Sequence, residues 1–276
     1  SYRRSFFAIG LVAMTTLIFE LVVNKALSFS TWGGLGYMII GSAIFGYSIA
    51  GVAIALWKPH EKYSLSKLMS TASLLLALSI VLCYLVMNIV PFGFLHMYFT
   101  PLKHLFYFTI WYLALLIPFS LSGFIIAVLL TVFKERSNRL YASDLIGAGI
   151  GCLIVVPLFP HFGAAGLYLA CASLAAICAI IFSYGTVRKV FVSAAFVFFL
   201  VLIVAPYGQH VYPVETHDIK RDRGAHKEAG YIEHSMWSFL SKIEVAIIPD
   251  KPRGLIWLDG GLMQSNIDRF DGNYEE

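Results

Sequence analysis

Glu20 lies within an otherwise apolar stretch from Ser5 to Val23, which Asn24 and Lys25 close. A carboxylate at membrane depth costs roughly 2.5–3.5 kcal/mol on insertion scales, so it persists only with a partner or a task. Asn24, four residues on, shares its helix face, and Lys25 is long enough to snorkel towards it. Two chemistries are open to Glu20: a hydrogen-bonded bridge to a neighbouring helix, or a proton or substrate site. Asp144, in Leu140-Tyr-Ala-Ser-Asp-Leu-Ile-Gly147, is the second such acid. In the first turn of a helix it would complement the positive end of the dipole. Pairing with Arg136 or Arg139, or a transport role, are its alternatives. His96, His104 and His161 fall at span ends, whereas paired haem ligands lie well inside spans, so no metal site is expected. Cys83, Cys152, Cys171 and Cys178 all sit in apolar stretches and read as small buried apolar residues. No Ser-His-Asp spacing, P-loop or Cys-x-x-Cys pair occurs, and no catalytic residue is expected. The run Gly147-Ala-Gly-Ile-Gly151 lacks the preceding strand and the spacing of a dinucleotide loop.

The elements that must hold these groups follow from composition. The chain is 59% hydrophobic and 13% charged, against about 25% charged in a soluble domain. Continuous apolar runs of this length predict membrane helices rather than barrel strands. Seven spans are expected, at about 5–24, 35–57, 68–90, 105–133, 141–160, 163–184 and 190–206. The fold class is therefore an all-α polytopic membrane bundle followed by a small C-terminal segment rich in β-hairpins. Residues 1–206 form the membrane domain, 207–230 a linker and 231–276 the β-rich segment. Pro118 predicts a kink or tilt in the overlong fourth span.

Short connections carry ten Lys and Arg on one side (Arg3, Arg4, Lys58, Lys62, Lys67, Lys134, Arg136, Arg139, Arg188, Lys189) and two on the other (Lys25, Lys103). That bias puts the N-terminus in the cytoplasm. An odd number of spans then puts the tail outside. Small residues mark packing seams: Ser42, Gly46 and Ala50 on the second span, Gly147 and Gly151 on the fifth. In the tail, Lys242 to Ile247 alternates, with Ile243, Val245 and Ile247 on the apolar face. Pro249 to Gly254 is a turn, Leu255 to Leu258 a second strand, and Asp259-Gly-Gly261 a second turn.

Three stretches in order carry a resemblance. Leu17-Ile-Phe-Glu20-Leu-Val-Val-Asn-Lys25-Ala-Leu-Ser is similar to the opening of the membrane domain in bacterial membrane-bound spermidine synthase-like proteins. Ile117-Pro-Phe-Ser-Leu-Ser-Gly123, then Leu140-Tyr-Ala-Ser-Asp144-Leu-Ile-Gly147, resembles that domain's central helices. Ser235-Met-Trp-Ser-Phe-Leu-Ser-Lys-Ile-Glu-Val and Trp257-Leu-Asp-Gly-Gly resemble the small β-domain that opens the synthase fold. The resemblance implies a Rossmann-like domain with a Gly-rich loop for decarboxylated S-adenosylmethionine and with catalytic acids. Neither lies within these residues, so the expectation is either a longer protein or a relative without that domain. No cofactor, neither S-adenosylmethionine nor its decarboxylated form, is expected to bind residues 1–276. In the β-segment the resemblance leaves Trp237, Asp259 and Gln264 as candidates for a substrate entrance. Their alternative is structural, with Trp237 packing the hairpin and Asp259 making its turn.

The resemblance conflicts with the charge bias, because an aminopropyl transferase draws on a cytosolic cofactor and the tail is expected outside. The charge asymmetry is given precedence, since fold relatives often change function. Three functions are carried forward: a membrane-anchored spermidine synthase-like transferase, a non-catalytic membrane subunit docking a protein partner, and a small-molecule carrier using Glu20 and Asp144. The expected partners are the lipid bilayer and, through the small-residue faces, another protein or a second copy. No nucleic acid is expected.

Overall fold

The computed structural model describes residues 2–31, 35–93, 96–183, 230–247, 253–259 and 263–268. Five helices among them are long and apolar enough to cross a membrane. They are α1 (Tyr2–Ser30), α2 (Gly36–Trp57), α4 (Leu65–Ile89), α6 (Pro101–Val132) and α7 (Ser137–Phe182), with the short α3 (Pro59–Lys62) and α5 (His96–Phe99) between them. The fifth and sixth expected spans are the two arms of α7, which meet at a reversal of the backbone at Gly163, and the seventh, 190–206, lies outside the described residues. Gly163 has φ 61 and ψ −178. That conformation is open essentially to glycine alone, which is why the chain turns there.

Contacts along α1 show what this turn does. In the first arm of α7 the Ser143 hydroxyl donates to the Phe6 carbonyl at 2.7 Å. Gly147 abuts Gly10, and Gly151 abuts Met14. The first arm therefore climbs parallel to α1. In the second arm Tyr168 meets Phe19 at 5.7 Å, and the Cys178 thiol lies 3.9 Å from the Ala8 carbonyl. That arm runs back down. It ends where Ser66, opening α4, donates to the Phe182 carbonyl. Residue 182 and residue 8 are thus at the same end of the bundle.

The predicted seams pack within the chain. Lipid supplies no hydrophobic drive between helices, so close backbone approach and dispersion must hold them. Gly147 and Gly151 press on α1, and a Cβ at Gly147 would strike the Gly10 backbone. Ser42, Gly46 and Ala50 are buried, with Gly46 lying against Phe119 and Ser120 of α6. Phe19 joins Phe119 at 5.5 Å, and Tyr168 joins Tyr84 at 5.1 Å, filling the centre. The helix α6 passes unbroken through the buried Pro118. Its 32 residues span about 48 Å at 1.5 Å per residue, longer than a hydrocarbon core of about 30 Å, so tilt rather than a break accommodates it.

Four strands form an antiparallel meander in the order β1 (Ile232–Trp237), β2 (Lys242–Ala246), β3 (Arg253–Leu258) and β4 (Met263–Asp268). The turn expected over Pro249 to Gly254 lies partly outside the described residues, and Arg253 and Gly254 already belong to β3, while Asp259 is in a turn as expected. The buried face is not the expected one: along β2, Lys242, Glu244 and Ala246 are buried while Ile243 and Val245 are half-buried. The buried face lies against the bundle end opposite the N-terminus, where Trp237 meets Phe29 at 5.2 Å and Phe159 at 5.8 Å.

Candidate functional site

Two groups of polar side chains sit where apolar packing is the rule. The first lies between α1, α2 and α6, inside the spans. Thr16 and Ser122 share a short hydrogen bond. The Thr16 hydroxyl also reaches the Val12 carbonyl at 2.8 Å, to which it can only donate. Its one proton is thus committed, so Ser122 is the donor between the two hydroxyls. Tyr47 of α2 lays its ring against Gly123, where any side chain would collide with it. Its phenol lies near the Ser122 and Thr16 hydroxyls.

Two acids, Glu20 and Asp144, also lie within the apolar helices. Both are half-buried. The Glu20 carboxylate has no hydrogen bond from the protein among the described residues. Asp144 places Oδ1 in a buried position with no hydrogen-bond partner. The pairing expected of Asp144 with Arg136 or Arg139 is not formed. Lys25 does not turn to Glu20 either: its ammonium donates to the Leu240 carbonyl at 2.7 Å, tying α1 to the β1–β2 turn. Asn24 sits instead beside Gly36, at the start of α2.

The second group joins sheet to bundle. Lys242 and Glu244 form an ion pair at 2.9 Å with side chains 10% and 1% exposed. The Lys242 ammonium stands 4.3 Å from the Phe29 ring centroid and 5.3 Å from that of Trp237. Ser235 donates to Glu244 at 3.2 Å. Asp259, at φ 47, accepts the Lys242 backbone N–H at 2.9 Å and returns its own N–H to the Lys242 carbonyl at 2.8 Å. Trp237, a candidate for a substrate entrance, is buried against the bundle, and Asp259 closes the β3 turn onto β2. Gln264 on β4 pairs in register with Trp257 of β3. The structure brings Trp237 and Asp259 together around Lys242, and leaves Gln264 two strands away.

His96 and His104 stack with ring centroids 5.5 Å apart, and His104 also bonds with Thr100 at 2.9 Å. His161 is exposed on α7. No group of three metal-binding side chains forms among the described residues.

Reading the sequence missed Tyr47, Thr16, Ser122 and the Lys242–Glu244 pair. Thr16 carried a usable signal, since it lies four residues before Glu20 on the same face. Tyr47 carried none, because a tyrosine in an apolar span reads as interface or packing. No family model matches this chain, and neither the curated proteins nor the solved structures yield a match.

Proposed function

We propose that this multi-pass membrane protein is a platform that holds an extramembrane β unit rigidly on one end of its bundle, in the manner of membrane-anchored spermidine synthase-like transferases. The observation that carries the reading is the seating of the sheet. Trp237 is buried between Phe29 and Phe159, and Lys25 is bonded to Leu240. A freely tethered sheet would have no use for a buried ion pair facing the membrane helices. The two arms of α7 make six crossings from five helices, returning residue 182 to the N-terminal end. The basic residues Arg4, Lys58, Lys62, Lys67, Lys134, Arg136 and Arg139 gather at that end, which we assign to the cytoplasm of a bacterial inner membrane. The sheet is then outside. The cytosolic aminopropyl donor of the resembling transferases would not reach it there.

The test is orientation together with activity. A cysteine replacing the exposed Glu233 is expected to react with a membrane-impermeant thiol reagent in intact cells. Labelling only after lysis would reject the orientation. The purified 276-residue chain is expected neither to bind decarboxylated S-adenosylmethionine nor to transfer its aminopropyl group to putrescine; turnover would reverse the reading of the tail as non-catalytic.

A second reading, a proton-coupled carrier, is favoured by the buried Asp144 Oδ1, which has no hydrogen-bond partner among the described residues, and by the half-buried Glu20 inside α1. In proteoliposomes with an internal pH indicator, it requires proton movement that Asp144→Asn abolishes while melting is unchanged.

A further inference from the structure

On the outer flank of the α1–α7 contact a groove opens to the surroundings, about 280 Å³ in volume. Its walls are Phe7, Leu11 and Met14 on one side and Ile146 and Ile150 on the other, and its floor is the close approach of Gly10 to Gly147. The two glycines explain why a groove exists: helices that touch backbone to backbone leave the longer side chains standing as parallel walls. Phe7 and Ile146 are 70% and 60% exposed. Ser143 is the polar lining residue, and its hydroxyl is already committed to the Phe6 carbonyl at 2.7 Å. A water in this groove would lack the two to four polar partners it needs.

The charge at one end of the groove selects its occupant. Arg4 stands one turn before Phe7 on the stripe that continues to Leu11 and Met14. Arg139 stands one turn before Ser143 on the stripe that continues to Ile146 and Ile150. Ser143 is level with Phe6 through their hydrogen bond, so both arginines fall within a turn of each other at the N-terminal end of the groove. Both are exposed. We propose that this groove binds one anionic glycerophospholipid, an acyl chain lying between the phenylalanine–methionine and isoleucine walls and the phosphate headgroup held by Arg4 and Arg139. Basic residues at a membrane surface attract anionic headgroups. Here they sit at the mouth of an apolar slot of matching direction, which turns a general attraction into a site.

The experiment uses the purified chain in nanodiscs containing equal amounts of phosphatidylglycerol and phosphatidylcholine, released into native mass spectrometry. The expected result is one retained phosphatidylglycerol per chain in preference to phosphatidylcholine. Arg4→Gln and Arg139→Gln should each weaken that preference roughly fivefold, and together should erase it. Ile146→Trp, which fills the groove while leaving both arginines, should reduce retention of either lipid. Equal retention of the two lipids by the unaltered chain would overturn the proposal, as would a preference that survives in the double arginine variant. A dimer that displaces retained lipid would assign the groove to a second copy of the chain and overturn it equally. The Arg4→Gln, Arg139→Gln variant carries its own control, since its glycine contacts are untouched and its melting in detergent should match that of the unaltered chain.

Discussion

The ion pair under the sheet allows a quantitative test. Glu244 is 1% exposed on its side chain and is held by Lys242 at 2.9 Å and Ser235 at 3.2 Å. Removing the cation by Lys242→Met keeps the stem's volume against Phe29 and Trp237 but takes from the buried carboxylate its paired ammonium. Breaking one side of a buried pair costs about 3–5 kcal/mol, because the remaining charge is stranded away from water. The cation also faces two aromatic rings, and a desolvated cation–π contact contributes about 2 kcal/mol on its own. A loss of 3 kcal/mol is more than a hundredfold in the ratio of docked to undocked sheet. The double substitution Lys242→Met, Glu244→Leu removes both charges. Buried pairs replaced by apolar residues of similar volume are often neutral or stabilising, so the double variant is expected within about 1 kcal/mol of the unaltered protein.

The assay is hydrogen exchange of the peptide covering residues 230–247, whose amides report local opening. They include the Lys242 N–H on Asp259 and the Ile247 N–H on the Tyr231 carbonyl. Protection should collapse in Lys242→Met and return in the double variant, while the α1 and α7 peptides stay unchanged. A single variant with normal protection, or a double variant showing the sum of two large losses, would refute the argument that a stranded charge sets the cost.

Three further outcomes follow from the helices. Gly163→Ala places a Cβ at φ 61, ψ −178, and should lower stability by about 1–3 kcal/mol, seen as an earlier melt in detergent; no change would mean the two arms do not turn there. Gly147→Leu should separate α7 from Gly10 and cost at least the roughly 1–3 kcal/mol of overpacking, read as lost helicity on heating, and normal melting would deny the contact. Glu20→Gln should melt within about 1 kcal/mol of the unaltered chain, since interhelical hydrogen bonds in membranes average about 0.6 kcal/mol and the carboxylate receives none from the protein among the described residues. A large loss in Glu20→Gln would reveal a structural partner for the charged form.

How much of this was legible in the sequence differs between helix and sheet for a physical reason. In the membrane the backbone polar groups of a helix are satisfied within it, so apolar length locates α1, α2, α4 and α6, although α1 runs past its expected end at 24 to Ser30. Small residues at four-residue spacing point to the seams because nothing else lets backbones meet, and Ser42, Gly46, Ala50, Gly147 and Gly151 all pack there. The break between the two arms of α7 was legible, but not the residue that makes it. Gly163 lies in Phe-Gly-Ala-Ala-Gly, and which glycine takes the reversed backbone is decided by the contact of both arms with α1. The hydroxyl chain of Thr16, Ser122 and Tyr47 is assembled from three helices, so no spacing within one helix announces it.

The β2 strand shows the limit most clearly. Alternation marks two faces, and the usual rule buries the apolar one. Here the bundle end already offers Phe29 and Phe159, with Trp237 laid across them. Aromatic faces carry partial negative charge and accept a cation as readily as a methyl group. Lys242 therefore has two rings and a carboxylate waiting for it, none adjacent in sequence except Glu244. That residue, two positions on and on the same face, was the legible half of the arrangement. A Lys-x-Glu on one strand face can be read as a solvated pair or as a buried one. The difference lies entirely in what covers that face, which here is the helix ends that carry Phe29 and Phe159, both far earlier in the chain.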